Sequence, residues 1–155
     1  MSGMSILAGS RLSEGDATVT EEMQERMAED VAGRWSVVVV DDNPNFATLT
    51  RLWLRRDPRF RVLASGTDGA EGVALAAAFR PDLVILDDDM PIMTGLEAIA
   101  QVREASPNSK VILYSASVNV DRADLAAILG ADAVVSKLDP ISTLIRTAVT
   151  VLTSS

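Results

Sequence analysis

Five short apolar runs punctuate the chain from residue 36 onward: "SVVVV" (36–40), "FRVLA" (60–64), "DLVIL" (82–86), "VILYS" (111–115) and "AVVS" (133–136). Each run is too short for a buried helix, and most are nearly continuous rather than alternating in polarity. Strands of that kind are buried on both faces, as in a parallel sheet covered by helices on each side. The segments between them supply the helices. Asn43 with Pro44 has the form of an N-cap followed by a proline at the first helical position. Asp68 with Glu71, and Thr94 with Glu97, have capping-box spacing. Gly130 closes a segment containing Leu125, Ile128 and Leu129. Asp139 with Pro140 is expected to open the last helix, whose Ile141, Leu144, Ile145, Ala148 and Leu152 fall on one face. Five strands alternating with five helices predict an α/β fold with a doubly wound parallel sheet.

The first 34 residues differ in character and are expected to be an N-terminal extension, with residues 35–155 as the main domain. The start, to about Asp16, is rich in small and polar residues and is expected to be mobile. A helix is expected over about 18–33, where Val19, Met23, Met27 and Val31 form one apolar stripe. That stripe suits packing on the domain, or contact with a partner or a second copy, with a disordered segment as the remaining alternative. No further domain is expected after the last helix, where the chain reads "LTSS".

Composition narrows the chemistry. The 155 residues include neither cysteine nor histidine, which excludes disulfides, thiolate or imidazole metal ligands and a Ser-His-Asp triad. A net charge of −8 argues against a nucleic-acid surface or an anionic membrane as partner. With no long apolar segment and no signal-peptide pattern, a cytoplasmic protein is expected.

In an open parallel sheet, sites form at the carboxyl ends of the strands. There the first strand runs into Asp41 and Asp42, the third into "DDD" (87–89), the fourth into Ser115 and the fifth into Lys137, one of only two lysines. So many carboxylates repel one another unless a cation joins them. An all-oxygen donor set suits a hard ion such as Mg²⁺. A carboxylate beside a divalent ion, an ammonium and a hydroxyl can accept a phosphoryl group.

Taken together, "VVVVDDNP", "PDLVILDDDMPIMTGLE", "VILYSAS" and "GADAVVSK" resemble the receiver domain of two-component response regulators, over roughly residues 35–153. The resemblance implies a flavodoxin-like sheet of order 2-1-3-4-5. It implies Asp87 as phosphoacceptor, selected by the Met90–Pro91 pair that follows. It also implies Asp42 and Asp87 as metal ligands, the Asp89 backbone carbonyl as another, and Asp41 acting partly through water. Ser115 matches the switch hydroxyl, Lys137 the site lysine, and Ala116 leaves room for a donor. The implied partners are a histidine kinase or histidine phosphotransfer protein and a separate effector, with a homodimer also considered. The chain would then be a signalling module and not an enzyme, beyond catalysing its own phosphoryl transfer and dephosphorylation.

Three features depart from the family's pattern, one being the extra negative charge that Asp88 and Asp89 add beside the site. Val134 stands where Tyr or Phe is frequent, and Leu138 where Pro is frequent. The side chains of Asp88 and Asp89 are expected to be solvated loop carboxylates. The arginines of "RLWLRRDPRFR" are expected to be a solvated helix end or a docking patch, with Trp53 packing at its rim. Two alternatives remain at this stage. One is a phosphate-independent adaptor or dimerisation module on the same scaffold. The other is a haloacid dehalogenase-type phosphatase, disfavoured by Met90 after the Asp-x-Asp motif and by the lack of a downstream acidic pair.

Overall fold

The structure, a computed structural model, describes residues 33–154. Of the helix expected over about 18–33, residues 18–32 lie outside the described residues, as does the start expected to be mobile. Elements follow in strict alternation: β1 (Trp35–Val40), α1 (Pro44–Arg56), β2 (Phe60–Gly66), α2 (Gly69–Phe79), β3 (Leu83–Asp87), α3 (Gly95–Ala105), β4 (Lys110–Ser115), α4 (Val120–Leu129), β5 (Ala133–Ser136) and α5 (Ile141–Thr153). The strands form one sheet in the order β2-β1-β3-β4-β5, and every neighbouring pair is parallel.

Successive side chains on a strand point to opposite faces, and this divides the core in two. Val37, Val39, Ile85, Ile112 and Tyr114 pack with Leu54 of α1 and with Leu144 and Ala148 of α5. Val38, Val40, Val84, Leu86 and Leu113 pack with Ala76 of α2, Ile99 and Val102 of α3, and Ala126 of α4. The central strands are therefore apolar on both sides, which is why their sequences read as continuous runs.

Side-chain caps fix most helix starts. The Asn43 side chain accepts hydrogen bonds from the Asn45 and Phe46 amides, and Pro44 follows at the first helical position. Asp68 accepts from the Glu71 amide at 2.8 Å, and Thr94 forms a reciprocal capping box with Glu97. Asn119 caps α4, and Gly130 ends it with φ 116°. The last helix departs from expectation: Pro140 itself is the N-cap, and no side chain bonds the first turn. Asp139 lies one residue too early; its amide donates to the Ser136 carbonyl at 3.2 Å within the preceding turn. The buried face of α5 is Leu144, Ile145, Ala148 and Val151, with Ile141 and Leu152 half-buried at its margins.

The β3–α3 connection carries an unusual backbone. Ile92 has φ 68°, in the left-handed region, and its side chain is 85% exposed. A β-branched residue there is sterically disfavoured.

Candidate phosphoacceptor site

The parallel sheet brings the carboxyl ends of β1, β3, β4 and β5 to one edge. Asp41 follows the last residue of β1, Asp87 is the last residue of β3, Ser115 ends β4, and Lys137 follows β5. Residues of these segments line one open cavity of about 710 Å³, including Asp42, Asp87, Ser115, Ala116 and Lys137. Every residue singled out at the strand ends thus falls at this edge.

Asp41 is buried. One carboxylate oxygen accepts from the Asn43 amide at 2.9 Å, and the other lies 2.8 Å from the Lys137 ammonium. Asp87 is only 5% exposed, and its Oδ1 lies 3.1 Å from the same ammonium. Asp42 is exposed on the solvent side. Carboxylate oxygens of Asp41, Asp42 and Asp87 all lie within 4.8 Å of one another. That is an all-oxygen donor set of the size and chemistry a small divalent cation takes. Burial, and next the negative charge of Asp41, push the Asp87 carboxyl up to about 7, while Lys137 pulls it the other way.

Lys137 is held from several directions. Its side chain is 5% exposed, and its ammonium stands 4.4 Å from the centre of the Phe46 ring and 5.8 Å from that of Tyr114. Its backbone amide donates to the Ser115 carbonyl at 2.8 Å, tying the fifth strand's exit to the fourth. Two carboxylates and two aromatic rings thus surround the ammonium and hold it beside Asp87. Phe46 was not anticipated from the sequence. Its place one turn into α1 behind the acidic pair is the available signal.

The Ser115 hydroxyl is buried and accepts from the Ser117 amide at 3.0 Å. Ala116 is exposed, so its small side chain leaves the approach to Asp87 open. Asp89 is exposed, as expected, and Met90 is buried in the α2–α4 face of the core. Gly95 is required by close packing: a Cβ there would lie 2.2 Å from the Asp87 carbonyl oxygen.

The side chain of Asp88 contradicts the expectation of a solvated carboxylate. It is 7% exposed; Oδ1 accepts from the Leu96 amide at 3.1 Å, and Oδ2 is ion-paired with Arg122 of α4. Its position after the last residue of β3 turns it inward against the start of α3. Arg122, which lines the same cavity, was also missed. The usable signal is that a cation in the first turn of a helix opposes the helix dipole and calls for a local anion.

The arginine-rich segment sits apart from this edge in the main. Arg55 and Arg56 occupy the last turn of α1, where the dipole favours cations. Arg59 is paired with Asp57 at 2.8 Å, and Arg51 donates to the Ser65 hydroxyl at 3.2 Å. Trp53 is exposed at the rim of a groove between α1 and α5.

Comparison with known proteins agrees with this geometry. Residues 37–148 match the family described as "Response regulator receiver domain". The nitrate/nitrite response regulator protein NarL of Escherichia coli (strain K12) is 31% identical over 97 residues, 63% of this chain and 45% of that protein. Protein-glutamate methylesterase/protein-glutamine glutaminase 5 of Geobacter metallireducens is 38% identical over 79 residues, 51% of this chain and 22% of that protein. The match thus spans less than half the length of these curated relatives. A DNA-binding response regulator of the LuxR family from Staphylococcus aureus superposes with TM-score 0.71 at 29% identity, over 76% of this chain and 98% of that one. The fold is also that of the CheX-CheY-BeF3-Mg+2 complex from Borrelia burgdorferi, with TM-score 0.72 at 23% identity over 81% and 95% of the two chains.

Proposed function

The chain belongs to the response regulator receiver family, and on that premise we propose that it is a phosphorylatable signalling module in which Asp87 accepts a phosphoryl group from a phosphohistidine. The observation that carries this reading is the convergence of Asp41, Asp42 and Asp87 with Lys137 at the mouth of a cavity beside Ser115. The donor is a histidine kinase or a histidine phosphotransfer protein in the cytoplasm, and the output is binding to a separate effector. Residues 35–155 form the receiver domain and residues 1–34 an extension to it.

The acceptor step is an in-line displacement. An Asp87 carboxylate oxygen attacks phosphorus, the phosphorus–nitrogen bond breaks, and its electron pair leaves with the imidazole. The product is an acyl phosphate on Asp87. Asp42, Asp87 and the Asp89 backbone carbonyl would hold Mg²⁺, with Asp41 reaching it partly through water. When bound, the divalent ion offsets negative charge on the carboxylates and on the transferring oxygens. Lys137, already 3.1 Å from Asp87, follows the charge onto the phosphoryl oxygens. The Ser115 hydroxyl exchanges its Ser117 contact for one of those oxygens. Val134 lacks a ring that could move with Ser115, so the readout travels through the β4–α4–β5 surface without an aromatic flip. Hydrolysis of the acyl phosphate resets the site.

Incubation with acetyl phosphate and Mg²⁺, followed by intact-mass measurement, tests the proposal. The wild type is expected to gain the mass of one phosphoryl group and Asp87→Asn none. Equal labelling of both proteins, or no labelling of either, overturns it. A phosphate-independent adaptor would behave in the second way, and a phosphatase would instead turn over a phosphate monoester.

A further inference from the structure

We infer that the Asp88–Arg122 ion pair is a latch that fixes the resting position of α4, making Arg122 a positioning residue for the phosphoacceptor loop. The inference rests on the proposed role of Asp87.

Asp88 is a junction. Its carbonyl accepts from the Met90 and Gly95 amides at 3.1 and 3.0 Å, and its carboxylate binds the Leu96 amide and the Arg122 guanidinium. One residue therefore joins the acceptor strand, the following turn, the start of α3 and the first turn of α4. The carboxylate is buried, whereas the guanidinium is one-third exposed, so the anion depends on the cation more than the reverse.

The rest of α4 is weakly held. Its only buried residue is Ala126, compared with four buried residues each in α3 and α5. Val120, Leu125 and Ile128 are exposed. A helix with so little buried apolar surface is the one whose position a single charged contact can decide. Arg122 also sits in the first helical turn, where the dipole disfavours a cation; Asp121 shares that turn, and the ion pair with Asp88 offsets the cost at the guanidinium itself.

The latch and plain electrostatics predict opposite signs. If Arg122 acted only as a nearby positive charge, its removal would weaken binding of an anionic phosphoryl mimic. If the pair stabilises the resting arrangement, its removal frees α4 and makes the loaded arrangement easier to reach, so binding tightens.

The experiment uses full-length wild type, Arg122→Gln, Arg122→Lys, Asp88→Asn and the Asp88→Asn/Arg122→Gln double variant. Amide hydrogen exchange over residues 120–129 is measured without ligand, and the affinity for beryllofluoride is measured in Mg²⁺. Both single neutral variants are expected to speed α4 exchange and to tighten beryllofluoride binding by about fivefold or more. The double variant should add little to either single one, and Arg122→Lys should restore part of the wild-type behaviour. Unchanged α4 exchange in Arg122→Gln, or weaker beryllofluoride binding, overturns the latch. Acetyl phosphate labelling of the wild type separates the two readings. Labelling with an α4 insensitive to Arg122→Gln defeats the latch alone, and absence of labelling defeats the acceptor role and the coupling built on it.

Discussion

The Lys137 ammonium lies 2.8 Å from Asp41 and 3.1 Å from Asp87, so one buried cation is shared between a carboxylate just after β1 and the carboxylate that ends β3. One positive charge cannot balance both acids, and Asp42 adds a third carboxylate within 4.8 Å of them. The side chains of the site are thus short of positive charge by construction. Its behaviour with pH and metal follows from that deficit.

The Asp87 carboxyl, raised from 3.8 to about 7, holds its proton in the folded state over a range where the unfolded chain has lost it. Unfolding then releases a proton, so stability falls as pH rises from about 4 to about 7. Mg²⁺ bound at the proposed site would compete with that proton. Thermal unfolding of the metal-free protein is expected to occur at lower temperature at pH 8 than at pH 5, other groups being equal. The stabilisation by Mg²⁺ should grow across the same interval. A Mg²⁺ shift independent of pH would contradict the assignment.

Asp87→Asn removes the acid that burial and Asp41 both disfavour in its charged form. At pH 8 without metal, the variant is expected to be more stable than wild type by about 1–2 kcal/mol, a functional site holding stability below its attainable level. The same variant should lose most of the Mg²⁺ response. Urea unfolding with and without Mg²⁺ measures both.

Gly95→Ala would set a methyl group 2.2 Å from the Asp87 carbonyl oxygen and 2.8 Å from the Asp88 Cα. Both are backbone atoms of the proposed acceptor segment and cannot rotate away. A loss of about 2–3 kcal/mol is expected, at the upper end of overpacking costs. Magnesium affinity, read by fluorescence or calorimetry, should fall with it, because the strand tip must shift.

Thr50 is buried on the inner face of α1, and among the described residues its hydroxyl is the buried side-chain polar atom without a hydrogen-bond partner. Valine has nearly the same shape. Thr50→Val is expected to stabilise the domain by about 1 kcal/mol, visible as a raised urea midpoint with an unchanged slope. Its distance along α1 from the acidic pair should leave phosphoryl uptake unaltered.

How much of this was legible beforehand depended on whether local or long-range contacts decide each feature. The strands could be read because both faces of the sheet are buried, and the caps of α1, α2 and α3 because an N-cap needs only residues three apart. The start of α5 misled, since Asp–Pro has the right composition yet the turn after Lys137 places Pro140 at the cap itself. The strand ends gave up Asp41, Asp87, Ser115 and Lys137, because a parallel sheet gathers its carboxyl ends regardless of detail. Asp88 did not yield, because its partner Arg122 is 34 residues away and belongs to another helix. Composition makes Asp88 and Asp89 look alike, and only the contacts of Asp88 with the start of α3 and with α4 separate them.

Ile92 carries one last consequence. A branched apolar residue stands in water with a left-handed backbone, a few positions from the proposed acceptor. Neither shape nor solvation recommends isoleucine there, and asparagine or glycine would relieve both discomforts at once. The turn beneath the acidic edge is therefore under tension in its native sequence, and it is where the protein can be made sturdier without touching a single carboxylate.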